Sequence, residues 1–417
     1  MELVQTAAKK YSDYQEIIDT GTTAQLDYYV NRLRDKKIAM VNATSYGGGV
    51  AEILHSMVPL ARDMGLDMEW RVIQGADEFY NVTKDMHNCL QGQEGSLSEE
   101  AQNIYLKYNE LNAAAAKDWH YDYIIIHDPQ PAGLIEFLKT KSDARWIWRC
   151  HIDTSTPNQE YWSFLYQYIS QYDACIFTME DFVNEKEKFH NLTFITPSID
   201  PLSTKNTPLD EEEVRRIIAR FGVDIHRPLI SQISRFDPWK DPLGVIDVYK
   251  MVKKDFPSVQ LALVGSMASD DPEGWDYLYR TLRRAGEDYD IKIITNFNGV
   301  SNLEVNAFQT ASDVLLQKSL REGFGLTVSE GLWKGTPVIG GNVGGIKYQI
   351  EEGVTGYLVD TVEDCAEKVL RILRNPTLAQ EMIVAGKERV REHFLITTHL
   401  LNYLKLLDSF DGPPVSN

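Results

Sequence analysis

Two glutamates in the second half of the chain flank a glycine turn, and their spacing suits the binding of hydroxyl groups. Glu322 and Glu330 are separated by seven residues. Each carboxylate can accept two hydrogen bonds at once, as sugar or ribose hydroxyls require. The backbone N–H groups at the predicted helix start suit phosphate oxygens, and they belong to Gly323, Phe324, Gly325 and Leu326. The alternative is a capped helix with two exposed acids.

Two cations follow the first predicted strand of the second half. Arg235 and Lys240 lie in the segment Ser-Arg-Phe-Asp-Pro-Trp-Lys-Asp that ends at Asp241. The planar fork of arginine and the point charge of lysine can converge on one diphosphate. The alternative is a pair of surface cations in a solvated loop.

The first half offers a glycine turn and two histidines at strand ends. Gly48 and Gly49, with Gly47 before them, stand between a predicted strand and a helix. They let the backbone approach a ligand closely, although they match neither G-x-G-x-x-G nor a Walker A loop and fit a plain turn equally well. His127 and His151 each follow an apolar run. A turn before Pro129 and a buried core histidine are the respective alternatives.

The elements that must position these residues alternate between short β-rich runs and amphipathic helical stretches. Continuous apolar runs such as 123–126 indicate strands covered on both faces. The alternation is the βαβ pattern of a doubly wound parallel sheet. The predicted strands are 37–42, 68–73, 122–127, 145–150, 173–178, 192–196, 228–234, 260–265, 291–295, 313–317, 337–340 and 356–359.

A break at 196–208 carries three prolines and no periodicity, which indicates a domain linker. We therefore predict an α/β fold with two Rossmann-like domains, residues 1–205 and 206–394, facing a cleft. Thr207 is predicted to cap a helix with Pro208 at its first position, and 377–407 to be helical. Ligands of such sheets bind outside the carboxyl ends of the strands, where the candidate residues would gather.

Composition narrows the function classes. The 42 basic and 61 acidic residues give a net charge of −19, which argues against a general nucleic-acid binder, since phosphate contacts need clustered Lys and Arg. No run of about 18 apolar residues is present, so we expect no membrane span. The four cysteines and nine histidines form no metal-binding spacing, so we expect no dedicated metal site and a reducing, cytoplasmic location.

Taken together, these motifs resemble the retaining GT-B enzymes of glycosyltransferase family 4. Glu322 and Glu330 match the E-x₇-E motif of that family, and Arg235 and Lys240 match its Arg and Lys on the donor diphosphate. The glycine turn matches the glycine loop of its N-terminal domain. The second half also resembles the family in the segments 335–345 and 353–359. The segments 41–54, 127–131 and 148–155 resemble the members of the family that form α,α-trehalose.

The resemblance implies a retaining glucosyltransferase that moves glucose from UDP- or ADP-glucose to free glucose, forming α,α-trehalose in a reaction that can run in reverse. It implies catalytic roles for four residues, with Glu322 on sugar hydroxyls and His151 on the transferred sugar: Arg235, Lys240, Glu322 and His151. Besides the helix start and Glu330 on the ribose, the expected donor-binding residues are Gly48, Gly49, Asn296, Phe297 and Gln317. The expected acceptor-binding residues are Tyr46, His127, Asp128 and Asp153.

The resemblance also bears on cofactors and partners. No cofactor is required, although Mg²⁺ carried by the donor diphosphate fits the same chemistry. The partners are then a nucleoside diphosphate glucose and glucose, or trehalose in reverse, with neither nucleic acid nor a membrane. A homodimer is compatible with the family, and the C-terminal helix, about 395–417, is expected to pack on the first domain.

Three other functions fit part of the pattern. A trehalose phosphorylase would use inorganic phosphate and release glucose 1-phosphate, so that Arg235 and Lys240 hold one phosphate and the ribose role of Glu330 is idle. A nucleotide-sugar epimerase would act without an acceptor. A sugar-nucleotide binding protein would need no chemistry at Lys240.

Overall fold

The structure of the chain is a computed structural model that describes residues 1–46, 48–267 and 272–412. These residues form two compact units: Met1–Pro197 with the chain from Ile396 onwards, and Ser198–Leu395. The boundary lies inside the predicted linker at 196–208, earlier than the predicted position after residue 205. Gly47 of the glycine turn and residues 413–417 of the predicted C-terminal helix lie outside the described residues.

The first unit is built on one mostly parallel sheet. Its strands are β1 (Glu2–Leu3), β2 (Lys37–Asn42), β3 (Asp67–Val72), β4 (Tyr123–His127), β5 (Arg145–Arg149), β6 (Ala174–Phe177) and β7 (Leu192–Phe194). They pair in the order β1-β3-β2-β4-β5-β6-β7. The antiparallel pair is β1 with β3, and the other pairs are parallel. Every residue of β4 is buried, as expected for a strand covered on both faces.

The second unit contains an all-parallel sheet over its described residues. Its strands are β8 (Leu229–Ile233), β9 (Gln260–Gly265), β10 (Ile291–Thr295), β11 (Val314–Gln317), β12 (Val338–Gly341) and β13 (Gly356–Val359). The strand order is β10-β9-β8-β11-β12-β13. From β8 the chain adds β9 and β10 on one side and then β11 to β13 on the other, so the order of the strands switches between β8 and β11. Ligands bind at such a switch point in doubly wound sheets, and every predicted strand of both halves is confirmed to within a few residues.

Helices connect the strands of both units. They are α1 (Tyr11–Gln15), α2 (Thr20–Leu33), α3 (Gly49–Asp63), α4 (Asp77–Leu90), α5 (Glu99–Ala115), α6 (Leu134–Leu138), α7 (Gln159–Ile169), α8 (Glu211–Ala219), α9 (Pro242–Val252), α10 (Pro272–Ala285), α11 (Asn302–Ala311), α12 (Leu326–Lys334), α13 (Ile346–Gln349), α14 (Val362–Arg374), α15 (Pro376–His393) and α16 (Ile396–Ser409). None of the described helices combines the length and apolar character needed to cross a bilayer.

The predicted cap of α8 at Thr207 is wrong. Asp210 is the N-cap, and its carboxylate accepts from the backbone N–H of Glu213 at 2.7 Å. Thr207 instead belongs to the preceding turn, because its N–H and hydroxyl both donate to the carbonyl of Ser203. A carboxylate at the N-cap also suits the positive end of the helix dipole.

The predicted helical segment 377–407 is interrupted. It consists of α15 and α16, and the break falls where the carbonyl of Phe394 accepts from the N–H of Ile199 at 2.8 Å. That bond, with the bridge between Ile199 and Leu395, takes the backbone out of the helical pattern. The helix α16 then belongs to the first unit.

Close backbone packing holds the loop that carries Glu322. Gly344 has φ +46°, and a Cβ there would overlap the carbonyl oxygen of Glu322. The N–H of Gly345 donates to the carbonyl of Gly323 at 2.9 Å. The glycines after β12 therefore fix the position of the Glu322 turn.

We expect Gly344→Ala to destabilise the protein by about 1–3 kcal/mol more than Gly353→Ala, because the new methyl group must displace the Glu322 carbonyl. Gly353 is the matched control, since it also has positive φ (+75°), but a methyl group added there would meet no described atom within 4 Å. Urea unfolding of both variants measures the difference, and equal losses would contradict the packing described here.

Candidate active site

The carboxylate of Glu322 is the centre of a polar cluster in the second unit. Its Oε2 atom accepts from Lys240 Nζ at 2.5 Å, Ser319 Oγ at 3.0 Å and Gln317 Nε2 at 3.1 Å. Lys240 lies in a short 3₁₀ turn whose N-cap is Asp237, and Gln317 ends β11. The adjacent ends of β8 and β11 thus bring three predicted site residues, Lys240, Gln317 and Glu322, into direct contact.

A cavity of about 320 Å³ opens at the carboxyl ends of β8, β9 and β10. Predicted site residues in its lining are Arg235, Asn296, Leu326 and Glu330. The side chain of Arg235 is 70% exposed and lies 3.3 Å from Asp237. This cavity is therefore at the edge where the sheet was expected to bind a ligand, and it brings a predicted cation and a predicted carboxylate to one place.

Glu330 is a buried wall of this cavity, so the alternative of an exposed acid is wrong. Its Oε1 lies 3.2 Å from Lys205 Nζ, and its Oε2 accepts from Gln309 Nε2 at 2.8 Å. The ammonium group of Lys334 lies 3.5 Å from the Glu330 carbonyl, and burial lowers the pKa of Lys334 to about 8. Buried carboxylates require partners of this kind.

The predicted phosphate-binding turn is the N-terminal end of α12. Gly325 is its N-cap with φ +79° and provides no side-chain cap. The N–H groups of Val328 and Ser329 donate to the Gly325 carbonyl and to Gln349 Oε1, so the N–H groups of Leu326 and Thr327 are the ones suited to an anion. The carbonyls of Phe324 and Gly325 accept from Gln349 Nε2. The Phe324 ring is buried against Phe394, which leaves its backbone as the part suited to binding.

Two further donor-side predictions have different outcomes. Asn296 lines the cavity and fixes the end of β9, because its Oδ1 accepts from the N–H of Met267 at 2.8 Å. Phe297 is 61% exposed and stacks on Trp275 with ring centroids 5.6 Å apart, outside the cavity lining. Consecutive residues after a strand point in different directions, so the pair is not brought together.

The first unit has its own pocket, of about 260 Å³, at the ends of β2 and β4 and after β5. Predicted residues in its lining are Gly48, Gly49, His127, Asp128 and His151. The rings of His127 and His151 are joined by a hydrogen bond between Nδ1 and Nε2 at 2.9 Å. Asp128, at φ +65°, accepts from the N–H of His151 at 2.9 Å, so the strand-end turn before Pro129 is itself part of the pocket.

Tyr46 and Asp153 are not brought into this pocket. Tyr46 is 82% exposed, and its N–H and carbonyl form a local turn with the Thr44 hydroxyl. The Asp153 carboxylate accepts from the N–H and hydroxyl of Ser155 at 2.9 and 2.6 Å. Asp153 therefore stabilises its own turn.

Burial keeps three histidines of the first unit, His127, His151 and His399, neutral. It lowers the pKa of His127 to about 3 and that of His151 well below its usual value, with the charge of buried Arg149 as the next cause. The same two causes lower the pKa of His399, on α16, to about 3. Burial raises the pKa of Asp128, and His87 opposes this shift. His127 and His151 therefore present uncharged imidazole groups to the pocket.

Two residues that line the pockets were not predicted from the sequence. Lys205 lies in the linker, and His87, which lines the first pocket, lies on the unpredicted helix α4. The spacing of Phe79, Thr83, Met86 and Leu90, all buried, is the helical signal that could have found α4. Lys205 carries no such signal, because its partner Glu330 is distant in the sequence.

We expect His399→Gln to reduce the loss of stability on acidification. Unfolded histidines bind a proton below about pH 6.5 while the folded ones stay neutral, so their stabilisation is complete above that pH and is lost as pH falls toward their folded pKa values. Each such histidine contributes up to about 1.4 kcal/mol per pH unit. Urea unfolding between pH 7 and 5 should give a shallower slope for the variant, and equal slopes would contradict the neutral buried state.

Comparison with known proteins agrees with this arrangement. Residues 40–184 match the family model for the trehalose synthase N-terminal domain, and residues 214–389 match glycosyl transferases group 1. The chain is 54% identical over 403 residues to trehalose synthase of Thermococcus litoralis, with 96% of this chain and 97% of that protein covered. It is 29% identical to trehalose phosphorylase of Grifola frondosa, with 85% of this chain but 54% of that protein covered.

A solved structure shows the same fold. Sucrose-phosphate synthase from Thermosynechococcus elongatus superimposes with a TM-score of 0.70 at 17% identity, covering 90% of this chain and 99% of that one. The predicted GT-B-like pair of α/β sheets is thereby confirmed. The chain belongs to the group 1 glycosyl transferases, and within them to the trehalose synthases whose N-terminal domain it carries.

Proposed function

We propose that this chain is a retaining glucosyltransferase that forms α,α-trehalose from a nucleoside diphosphate glucose and free glucose. The observation that carries the proposal is the cavity of the second unit, which combines a cation, a helix N-terminus and a buried carboxylate at the carboxyl ends of the strands. A nucleotide sugar needs these three features, for its diphosphate and its ribose. The likeness to trehalose synthases over nearly the whole chain supports the choice of product.

In this proposal the second unit stabilises the leaving group. Arg235, Lys240 and the first N–H groups of α12 balance the negative charge that builds up on the diphosphate, and preorganised donors of this kind are typically worth about 3 kcal/mol each. The bond between the anomeric carbon and the phosphate oxygen breaks. The acceptor hydroxyl oxygen bonds to that carbon on the same face, and its proton passes to the departing phosphate oxygen.

Glu322 then binds hydroxyls of the transferred glucose. Its Oε2 atom is occupied by Lys240, Ser319 and Gln317, which leaves Oε1 outside this network and suited to accept from a sugar hydroxyl. The neighbouring ammonium group offsets the repulsion between this carboxylate and the diphosphate. Glu322 is thus a binding carboxylate and not the nucleophile of a hydrolase.

The pocket of the first unit supplies the acceptor site. Its neutral His127 and its Asp128 match an uncharged polyol, which both donates and accepts hydrogen bonds, and His151 beside them is proposed to bind the transferred glucose. Among the described residues, His, Cys, Asp and Glu side chains form no group of three that could hold a metal ion. Mg²⁺ carried by the donor, a homodimer and a cytoplasmic location stay predictions.

Product analysis tests the proposal directly. The protein is mixed with glucose and, in turn, UDP-, ADP- and GDP-glucose, and the expected outcome is α,α-trehalose in equal amount to the released nucleoside diphosphate. Glucose 1-phosphate formed from trehalose and phosphate, without any nucleotide-dependent transfer, would instead support the phosphorylase. Conversion of the donor in the absence of glucose would support the epimerase.

We expect Lys240→Ala to lower kcat/KM for transfer by about 10²–10³-fold, the usual cost of removing one such donor. The change removes a cation from the diphosphate and leaves Glu322 without its ion pair. Lys250→Ala is the control, because Lys250 is on the surface of α9 and donates to the Arg284 carbonyl. Initial rates of both variants are compared, and an unchanged rate for Lys240→Ala would contradict the proposed role of Lys240 on the diphosphate.

A further inference from the structure

The linker segment that begins the second unit is fixed in place around Lys205. Asn306 of α11 donates from its side chain to the carbonyls of Thr204 and Thr207, at 3.0 and 2.7 Å. Asn206 donates to the carbonyl of Asp200 and accepts from Lys334 of α12 at 2.8 Å. The backbone on both sides of Lys205 is therefore held against the two helices that border the nucleotide cavity.

From this position the Lys205 side chain reaches into the cavity wall. It lines the cavity, is 18% exposed, and places Nζ 3.2 Å from Glu330 Oε1. Gln309 holds the other carboxylate oxygen at 2.8 Å. The carboxylate is thus held at one oxygen by Gln309 and at the other by the ammonium group of Lys205.

A paired carboxylate and ammonium recognise hydroxyls differently from a carboxylate alone. A carboxylate only accepts hydrogen bonds and an ammonium only donates them, whereas each ribose hydroxyl can do both. A diol that donates to Glu330 can therefore accept from Lys205 at the same time. Lys205 and Glu330 both line the cavity, so their pair can make this double recognition.

We propose that Lys205 is a donor-binding residue that, together with Glu330, recognises the 2′,3′-diol of the nucleotide ribose. This inference rests on the proposed function, because it assumes that the cavity binds a nucleoside diphosphate sugar. Lys205, from the linker, is then a further specificity-determining residue beside Arg235 after β8, Gln309 on α11 and Glu330 on α12.

The test measures binding of UDP and ADP, and of their 2′,3′-dideoxy forms, by titration calorimetry. The variants are Lys205→Met, which keeps the length of the side chain without its charge, and Lys205→Arg, which keeps a donor. Lys253→Met is the control, since Lys253 also pairs with two carboxylates of the second unit, Asp288 and Asp290.

Lys205→Met should weaken binding of the ribonucleotide about 10-fold, the order expected for a hydrogen bond to a charged group. It should leave binding of the dideoxynucleotide within 2-fold of the original protein, roughly the scatter of such measurements. Lys205→Arg should recover most of the loss, and Lys253→Met should bind as the original protein does. In transfer assays the Lys205→Met variant should raise KM for the donor with little change in kcat.

Other results would overturn the inference. If Lys205→Met weakens the binding of ribo- and dideoxynucleotides equally, Lys205 acts on the phosphates or through its charge. If binding is unchanged, the pair of Lys205 with Glu330 has only a structural role. If the original protein binds neither UDP nor ADP, nor GDP titrated in the same way, the proposed function fails as well, which separates that failure from a failure of Lys205 alone.

Discussion

The site of the second unit depends on one electrostatic constraint: the carboxylate of Glu322 must lie close to the negatively charged diphosphate of the bound donor. An isolated Glu322 would repel such a ligand, because two like charges a few ångströms apart interact strongly in a partly buried site. The bond of 2.5 Å to Lys240 removes that repulsion. The two residues are 82 positions apart in the sequence, so the constraint is met only because β8 and β11 are neighbours in the sheet. The glycine packing behind the Glu322 turn serves the same arrangement.

The fold was largely predictable because its strands are buried on both faces. Runs such as Ile124–Ile126 within β4 are apolar at every position, and a run of this kind between helices has few alternatives to a central parallel strand. Helix ends were less predictable, since a cap depends on which nearby side chain reaches the free N–H groups. Asp210 competes with Thr207 for that role, and the choice follows from a turn closed by the Ser203 carbonyl, a contact that the local pattern does not encode.

The candidate site was predictable in position but not in pairing. Motif spacing and the edge rule for parallel sheets placed Arg235, Lys240, Glu322 and Glu330 in the second unit, and the structure brings Arg235 to the cavity of Glu330 and Lys240 to Glu322. Gln317 was predicted as a donor-binding residue and is found donating to Glu322, whereas the partners of Glu330, Gln309 and Lys205, come from other segments and were not predicted. Neighbouring candidates also separate: Asp128 and Asn296 line the pockets, whereas Tyr46, Asp153 and Phe297 lie outside them, because neighbouring side chains point in different directions.

The two units present different electrostatic surroundings, and the difference follows the chemistry of the two proposed substrates. The first pocket is lined by His127 and His151, which burial and Arg149 keep neutral, and this suits an uncharged sugar. The second cavity carries Arg235, Lys205 and Glu330 at its wall, which suits a diphosphate and a ribose. A chain with a net charge of −19 repels an anionic donor at long range, so affinity must come from short-range contacts, where screening by salt is weakest. Cations held in place by carboxylate partners provide such contacts at little cost in side-chain entropy when the donor binds, because the pairing already restricts them.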